Sequence, residues 1–185
     1  MKLVEDYIFI KNYLNSDQCK RLVRLFNTHE WTPHQWYSHY QDSAEAGNTD
    51  CKVSKSDMNI DEILIPTIRQ ALKDYQENYA YSEKLKTFIQ KMSSVRLNRY
   101  DANKDMKEHV DHIHSIFDGK IRGIPILSIV GLLNNDFTGG ELYINNKNVN
   151  LKKGDIIIFP SNFMYPHEVK KIKEGERYSY VAWAF

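Results

Sequence analysis

Apolar residues recur at helical spacing twice near the start of the chain. Cys19, Leu22, Val23, Leu25 and Phe26 form one stripe, and the spacing predicts a helix capped by Ser16 and running to about residue 29. Ile63, Leu64, Ile68, Leu72 and Tyr75 form a second stripe, which predicts a helix over about 61–79. A short strand is expected over 7–10, and partial alternation suggests another within 51–60. Between the helices, residues 31–50 are aromatic and polar with no sustained period. Past residue 91 the period changes. Residues 94–100, 124–133, 141–144, 155–159 and 177–185 are β-branched and aromatic, are punctuated by Gly, Asn, Asp and Pro, and read as strands. Many short strands behind two helices give an α+β chain that is mainly β, a β-sandwich or jelly roll buttressed by N-terminal helices. No repeat or linker divides it. One domain over residues 1–185 is expected, with 1–92 as helical support and 93–185 as the strand-rich core.

Composition narrows the function classes. At 185 residues the chain can bury a core without staples, and 42% apolar with 26% charged content is the profile of a folded globular protein. There are 25 basic and 24 acidic side chains, so the cationic excess that phosphate backbones demand is missing and a nucleic-acid partner is not expected. No apolar run nears the roughly 20 residues that span a bilayer. Residues 1–6 carry no signal-peptide core, so the expectation is no membrane partner and a cytoplasmic location. Cys19 and Cys51 stand apart without a CxxC pair and read as reduced thiols, with one disulfide as the alternative.

Three polar features interrupt the strand-rich half: His109-Val110-Asp111, Pro166-His167-Glu168 and Arg177. On an extended chain alternate residues share a side, which puts His109 and Asp111 together. Two imidazoles and one carboxylate can occupy one face of an octahedral ion and leave three adjacent positions open, the arrangement of non-haem Fe(II) oxygen chemistry. A His-x-Asp alone is a weak signal, and Arg177 adds to it. On a strand Arg177 shares a face with Ser179, Val181 and Trp183, and a buried guanidinium needs a planar anionic partner. A dicarboxylate could offer one carboxylate to Arg177 and the other to the iron.

With these residues in place, the stretch 93–185 resembles the 2-oxoglutarate/Fe(II)-dependent dioxygenases, in their prolyl 4-hydroxylase-like branch. The resemblance is carried by Arg99-Tyr100, His109-Val110-Asp111, Leu132-Leu133-Asn134 with Gly139-Gly140-Glu141-Leu142, Gly154-Asp155 through Phe159-Pro160, Pro166-His167-Glu168-Val169, and Arg177. It implies a double-stranded β-helix, a distorted cupin-like jelly roll with iron inside. It implies His109, Asp111 and His167 as catalytic iron ligands, and Arg177 as the partner of the distal carboxylate of 2-oxoglutarate. Tyr100 matches a family tyrosine near that cofactor. Asn98 and Arg96 would share its face, and Ser179 and Ser128 are further candidate cofactor contacts. The cofactors implied are Fe(II), 2-oxoglutarate and O2, with ascorbate as a candidate reductant. The reaction implied is hydroxylation of an unactivated C–H bond, on a prolyl residue of a peptide or protein, with release of succinate and CO2. Small stand-alone chains of this kind occur in bacteria and bacteriophages, so a phage-encoded enzyme acting in a bacterial host is one expectation.

The resemblance also shows departures. Leu132 stands where hypoxia-type relatives carry a tyrosine on the distal carboxylate, and Met106 replaces an aromatic residue often found before the His-x-Asp. Nucleobase demethylases resemble Arg-x-Asn-x-Thr-x-Arg at the positions that here are Arg177, Ser179, Val181 and Trp183, so their second arginine is missing. The alternatives kept are a same-fold oxygenase acting on another amino acid, a small molecule or a nucleobase, and a non-enzymatic jelly-roll module.

Other polar residues receive plainer readings. Segments 34–56 and 113–123 are candidate lids or ordinary surface loops. His112 and His114 are assigned to solvent or support roles, and His29, His34 and His39 to the surface. Trp183 and Phe185 are expected to pack the barrel, Gly139, Gly140 and Gly154 to make turns, and the basic run 170–173 to be a solvated loop. Glu168 should point away from a metal held by His167.

Overall fold

The computed structural model describes residues 3–38, 43–45, 50–79, 89, 91–111, 116–118 and 121–185. A 3-10 turn (Val4–Tyr7) leads into strand β1 (Phe9–Asn12) and helix α1 (Ser16–Phe26). The cap of α1 is Asn15 rather than Ser16. Its side-chain oxygen accepts from the Asp17 and Gln18 backbone N–H groups, and Gln18 answers on the Asn15 N–H at 2.9 Å. Short strands β2 (Thr32–Pro33), β3 (Trp36–Ser38), β4 (Ser43–Glu45) and β5 (Lys52–Lys55) precede helix α2 (Met58–Tyr79). The apolar pattern places the start of α2 at residue 61. It starts earlier because Asp57 accepts from the Ile60 N–H at 3.0 Å, which caps a first turn that carries exposed Met58 and Asn59.

The rest of the chain is strand. It comprises β6 (Arg96–Tyr100), β7 (Met106–His109), β8 (Ile116–Asp118), β9 (Ile121–Gly123) and β10 (Leu127–Leu132). Then come β11 (Thr138–Gly139), β12 (Leu142–Ile144), β13 (Lys147–Asn148) and β14 (Asp155–Pro160). The last are β15 (His167–Val169), β16 (Ile172–Glu174) and β17 (Arg177–Ala184). A seven-stranded sheet has the order β1-β14-β10-β17-β6-β5-β2, and a four-stranded sheet the order β13-β12-β15-β7. Every pairing in both is antiparallel. This is the expected jelly roll. Asn145 and Asn146 take positive φ in the two-residue connection between β12 and β13, the geometry that a tight hairpin requires.

Strands β10, β14 and β17 are buried along almost their whole length, because the large sheet is covered on both faces. Ile129, Ile156, Ile158, Tyr180 and Ala182 pack with Leu22, Phe26, Leu64 and Ile68 of the two helices. The alternate residues Val130, Ile157, Phe159, Val181 and Trp183 pack inside the barrel with Met106, Leu142, Ile144 and Val169. Gly131 lies opposite Tyr180, and a Cβ there would fall 2.0 Å from the tyrosine Cζ, so only glycine lets that ring lie flat on β10.

Some expectations are corrected. The basic run is not all loop: Ile172 is buried in the barrel core at the start of β16, while Lys170, Lys171 and Lys173 face out. His34 is not a surface residue but 7% exposed. The His29 side chain is largely covered beside Asp57, its Nε2 3.5 Å from the carboxylate. His39, His112 and His114 lie outside the described residues. Cys19 and Cys51 are buried free thiols in different cores. No helix among the described residues is long and apolar enough to cross a membrane.

Candidate metal centre

His109 ends β7 and His167 opens β15, and the two are directly paired across the small sheet with ring centroids 4.3 Å apart. Asp111 follows just past the end of β7. Its Oδ1 lies 3.6 Å from His109 Nε2 and its Oδ2 3.7 Å from His167 Nε2. All three ligand atoms fall within 4.8 Å of one another.

The hydrogen bonds behind these atoms set the tautomers. His109 Nδ1 lies 2.8 Å from the Lys107 carbonyl and His167 Nδ1 3.1 Å from the Tyr165 carbonyl. A carbonyl only accepts, so each Nδ1 carries a proton, and in the neutral ring this tautomer leaves the Nε2 lone pair free, which is the form a metal needs. Burial lowers the His109 imidazole to about 4, helped by His167 and opposed by Asp111, so it stays neutral. Burial alone would raise the Asp111 carboxyl. His167, His109, the Ser128 hydroxyl and the nearby Trp183 indole outweigh it and hold the group below its ordinary value. Ser128 donates to Asp111 Oδ2 at 2.6 Å, so the 2.8 Å contact between Ser128 and Ser161 must be a donation from Ser161.

Arg177 lies on the same inner face, 1% exposed. It sits opposite Tyr100 in the β17–β6 register, with its guanidinium carbon 5.1 Å from that ring centroid. Its Nη1 donates to Ser179 Oγ at 2.8 Å, and its Nε has no partner among the described residues. No carboxylate among the described residues forms an ion pair with it, and desolvation lowers its pKa. Asn98, 1% exposed, turns an unpaired Oδ1 into the same region. Gly140 leaves room beside the arginine, since a Cβ there would lie 3.1 Å from Arg177 Cδ. A narrow cavity of about 30 Å³ joins His109, Asp111 and His167 to Tyr100, Asn98, Arg177 and Ser179.

Residues 95–185 match the family model of the 2OG-Fe(II) oxygenase superfamily. The chain belongs to that superfamily. A PKHD-type hydroxylase of Prochlorococcus marinus (strain MIT 9515) is 46% identical over 52 residues, which cover 26% of this chain and 23% of that protein. The chain thus matches only about a quarter of that curated relative's length. Among solved structures, a prolyl hydroxylase of Trichoplax adhaerens, in complex with a hypoxia inducible factor peptide fragment, has a TM-score of 0.67 at 18% identity. That match covers 96% of this chain and 83% of the other. The viral collagen prolyl hydroxylase of Paramecium Bursaria Chlorella virus-1, in its 2OG complex, has a TM-score of 0.66 at 15% identity and covers 96% and 94% of the two chains. Both share the fold.

Within this oxygenase fold the donor set suits a first-row divalent ion, with two imidazole nitrogens and one carboxylate, largely covered from solvent. An unpaired buried guanidinium a few residues along the same face suits an anion. Tyr100, Asn98, Arg177 and Ser179 all line the cavity, while Ser128 lies behind Asp111 and not beside the arginine. Leu132 lies opposite Ser179 and contributes no polar atom. Arg96 also lines the cavity and stacks over Trp183 at 4.9 Å. Sequence reasoning missed Ser161, Cys51 and His34. The Cys51 thiol lies by the Tyr100 hydroxyl, and burial pushes the thiol up to about 11. His34 lies with its Nδ1 3.9 Å from Asp50, and burial lowers it to about 4, with Arg96 and His109 adding to the effect. Only Ser161 carried a usable signal, as a hydroxyl one residue past a strand aimed at the metal face.

Proposed function

We propose that this chain is an Fe(II)- and 2-oxoglutarate-dependent dioxygenase that hydroxylates a prolyl residue of a peptide or protein, with release of succinate and CO2. The observation that carries the reading is Arg177, a buried guanidinium without a carboxylate partner among the described residues, facing one cavity with a His-Asp-His cluster. Iron would be held by His109 Nε2, His167 Nε2 and Asp111. The distal carboxylate of 2-oxoglutarate would be held by Arg177 and Ser179, with Tyr100 and Asn98 along its length. When bound, iron and 2-oxoglutarate supply O2 activation and attack on an unactivated C–H bond.

The chain's own residues do the positioning. The Lys107 and Tyr165 carbonyls hold each imidazole by its Nδ1–H, and the Ser161–Ser128 relay of hydrogen bonds keeps Asp111 anionic and oriented. Phe159 packs edge-on to His167 at 4.9 Å and helps exclude water. The cavity is narrower than a keto diacid needs, so flexible lining such as Met106 must shift on loading. Ascorbate enters this reading only as an external reductant.

The prolyl assignment draws on the solved prolyl hydroxylases that share the fold, one of them bound to a peptide. The neutral charge balance and the missing second arginine disfavour a nucleobase. Mass spectrometry on a panel of proline-containing peptides, with Fe(II), 2-oxoglutarate and O2, tests it. The expected result is the gain of one oxygen on proline matched by succinate. Succinate formation with no prolyl peptide modified would favour another amino acid or a small molecule.

A further inference from the structure

Four large apolar side chains are exposed at one rim of the barrel: Phe163 at 79%, Ile124 at 47%, Met164 at 45% and Ile126 at 40%. They belong to two segments that meet. The Ser161 N–H donates to the Ile126 carbonyl at 3.1 Å, next to the Leu127–Pro160 pair of β10 and β14. Phe163 and Met164 are the central residues of a tight turn, where small polar residues are usual. The turn is closed by Tyr165 N–H on the Asn162 carbonyl at 3.0 Å and by Met164 N–H on Asn162 Oδ1 at 2.9 Å. The apolar pair is therefore held out by a defined turn and not by a loose loop.

Both ends of this turn are tied to the metal centre. Ser161 donates to the serine that holds Asp111, and the Tyr165 carbonyl orients His167. The two segments carry no charges of their own: residues 123–135 and 156–166 contain no Lys, Arg, Asp or Glu. An exposed, charge-free apolar cluster beside a site marks an interaction surface. Its lack of cations disfavours a phosphate backbone.

We infer that Phe163 and Met164, with Ile124 and Ile126, grip an apolar side chain next to the target residue of a peptide substrate. The inference rests on the oxygenase reading above and adds a specificity determinant to it. Phe163 supplies flat area and Met164 an adaptable thioether, a pairing suited to apolar side chains of several shapes.

The test uses fluorescein-labelled prolyl peptides with either Leu or Ser beside the proline. Their binding is read by anisotropy with Fe(II) and 2-oxoglutarate under anaerobic conditions. The native protein should bind the Leu peptides about tenfold more tightly than the Ser peptides, a ratio that one buried apolar side chain supplies. The double variant Phe163→Ser, Met164→Ser should lose that preference and keep its affinity for Fe(II) and 2-oxoglutarate. A native preference left unchanged in the variant would overturn the inference, as would native binding without preference. So would a double variant whose only change is dissociation of a dimer in sedimentation, since the rim would then meet a second copy. Failure of the native protein to bind Fe(II) with 2-oxoglutarate would instead remove the underlying reading, and the inference with it.

Discussion

Asp111 shows how much of the site depends on residues that never touch a ligand. Its carboxylate is buried, and an isolated buried charge would protonate or move. The Ser128 hydroxyl at 2.6 Å, supported in turn by Ser161, fixes it in place. Ser128→Ala should therefore weaken Fe(II) binding by about tenfold, the low end for loss of a ligand's support. Ser161→Ala should have a smaller effect in the same direction. Isothermal titration under nitrogen would check both, and equal affinity in all three proteins would show that Asp111 needs no such support. Ser128 also marks where residue-level reading stops. Strand alternation assigns it to the inner face, but depth along the barrel separates a contact to Asp111 from one to the cofactor.

At the scale of elements, the large sheet is sandwiched so closely that single atoms matter. A methyl at Gly131 would collide with the Tyr180 ring, whose covered side faces the helices. Gly131→Ala should cost about 3 kcal/mol, in the range of overpacked cores, and adding Tyr180→Ala should recover part of it. Urea denaturation of the single and double variants gives the answer, and a neutral single variant would mean that the ring relocates freely. Helix α2 is pinned to β1 by Asp74, which accepts from Lys11 at 2.5 Å and Tyr13 at 2.7 Å. These bonds lower its carboxyl to about 2. The folded carboxyl thus sits below its unfolded value, so its stabilisation is present above pH 3.8 and is lost as pH falls toward 2. Asp74→Asn should cost about 1 kcal/mol near neutrality once solvent screening is allowed for, and nothing below pH 2.

The long elements were legible because their periods are clear. β10, β14 and β17 are six to eight residues long and rich in β-branched or aromatic residues. β7 and β15 were not read as strands, because they are only four and three residues long and carry His, Glu and Lys. Their polarity is what the proposed metal site requires, and it removes the apolar alternation by which the strands that build it would be read. The ligand candidates could still be found, since His109 and Asp111 are local and His167 lies ten residues before an arginine that opens a long, mainly apolar stretch. His34 and Cys51 gave no sign, because only the tertiary fold carries them, one from the aperiodic segment and one from just past its end, to the neighbourhood of the cavity.

Across the whole molecule, two buried neutral histidines set the acid response of the metal-free protein. His34 and His109 are each lowered from 6.5 to about 4, first of all by burial. Between those values the unfolded chain binds protons that the folded chain refuses. Stability is complete above pH 6.5 and falls as pH drops toward 4. At pH 5 the loss should approach about 2 kcal/mol for each histidine relative to pH 7. Denaturation of the metal-free protein at the two pH values measures it, and His34→Leu should remove about half of the difference. A flat profile would mean that both imidazoles reach solvent.

The central claim is that one ferrous ion and one keto diacid share the cavity between the paired histidines and Arg177. Visible absorption on anaerobic mixing of Fe(II) with 2-oxoglutarate tests it most directly. The native protein should develop a weak charge-transfer band, His167→Ala should show none, and Arg177→Ala should need at least tenfold more 2-oxoglutarate to reach it, as expected for a lost charge-assisted bond. No band in the native protein, or an Arg177→Ala titration that overlays the native curve, would contradict the account.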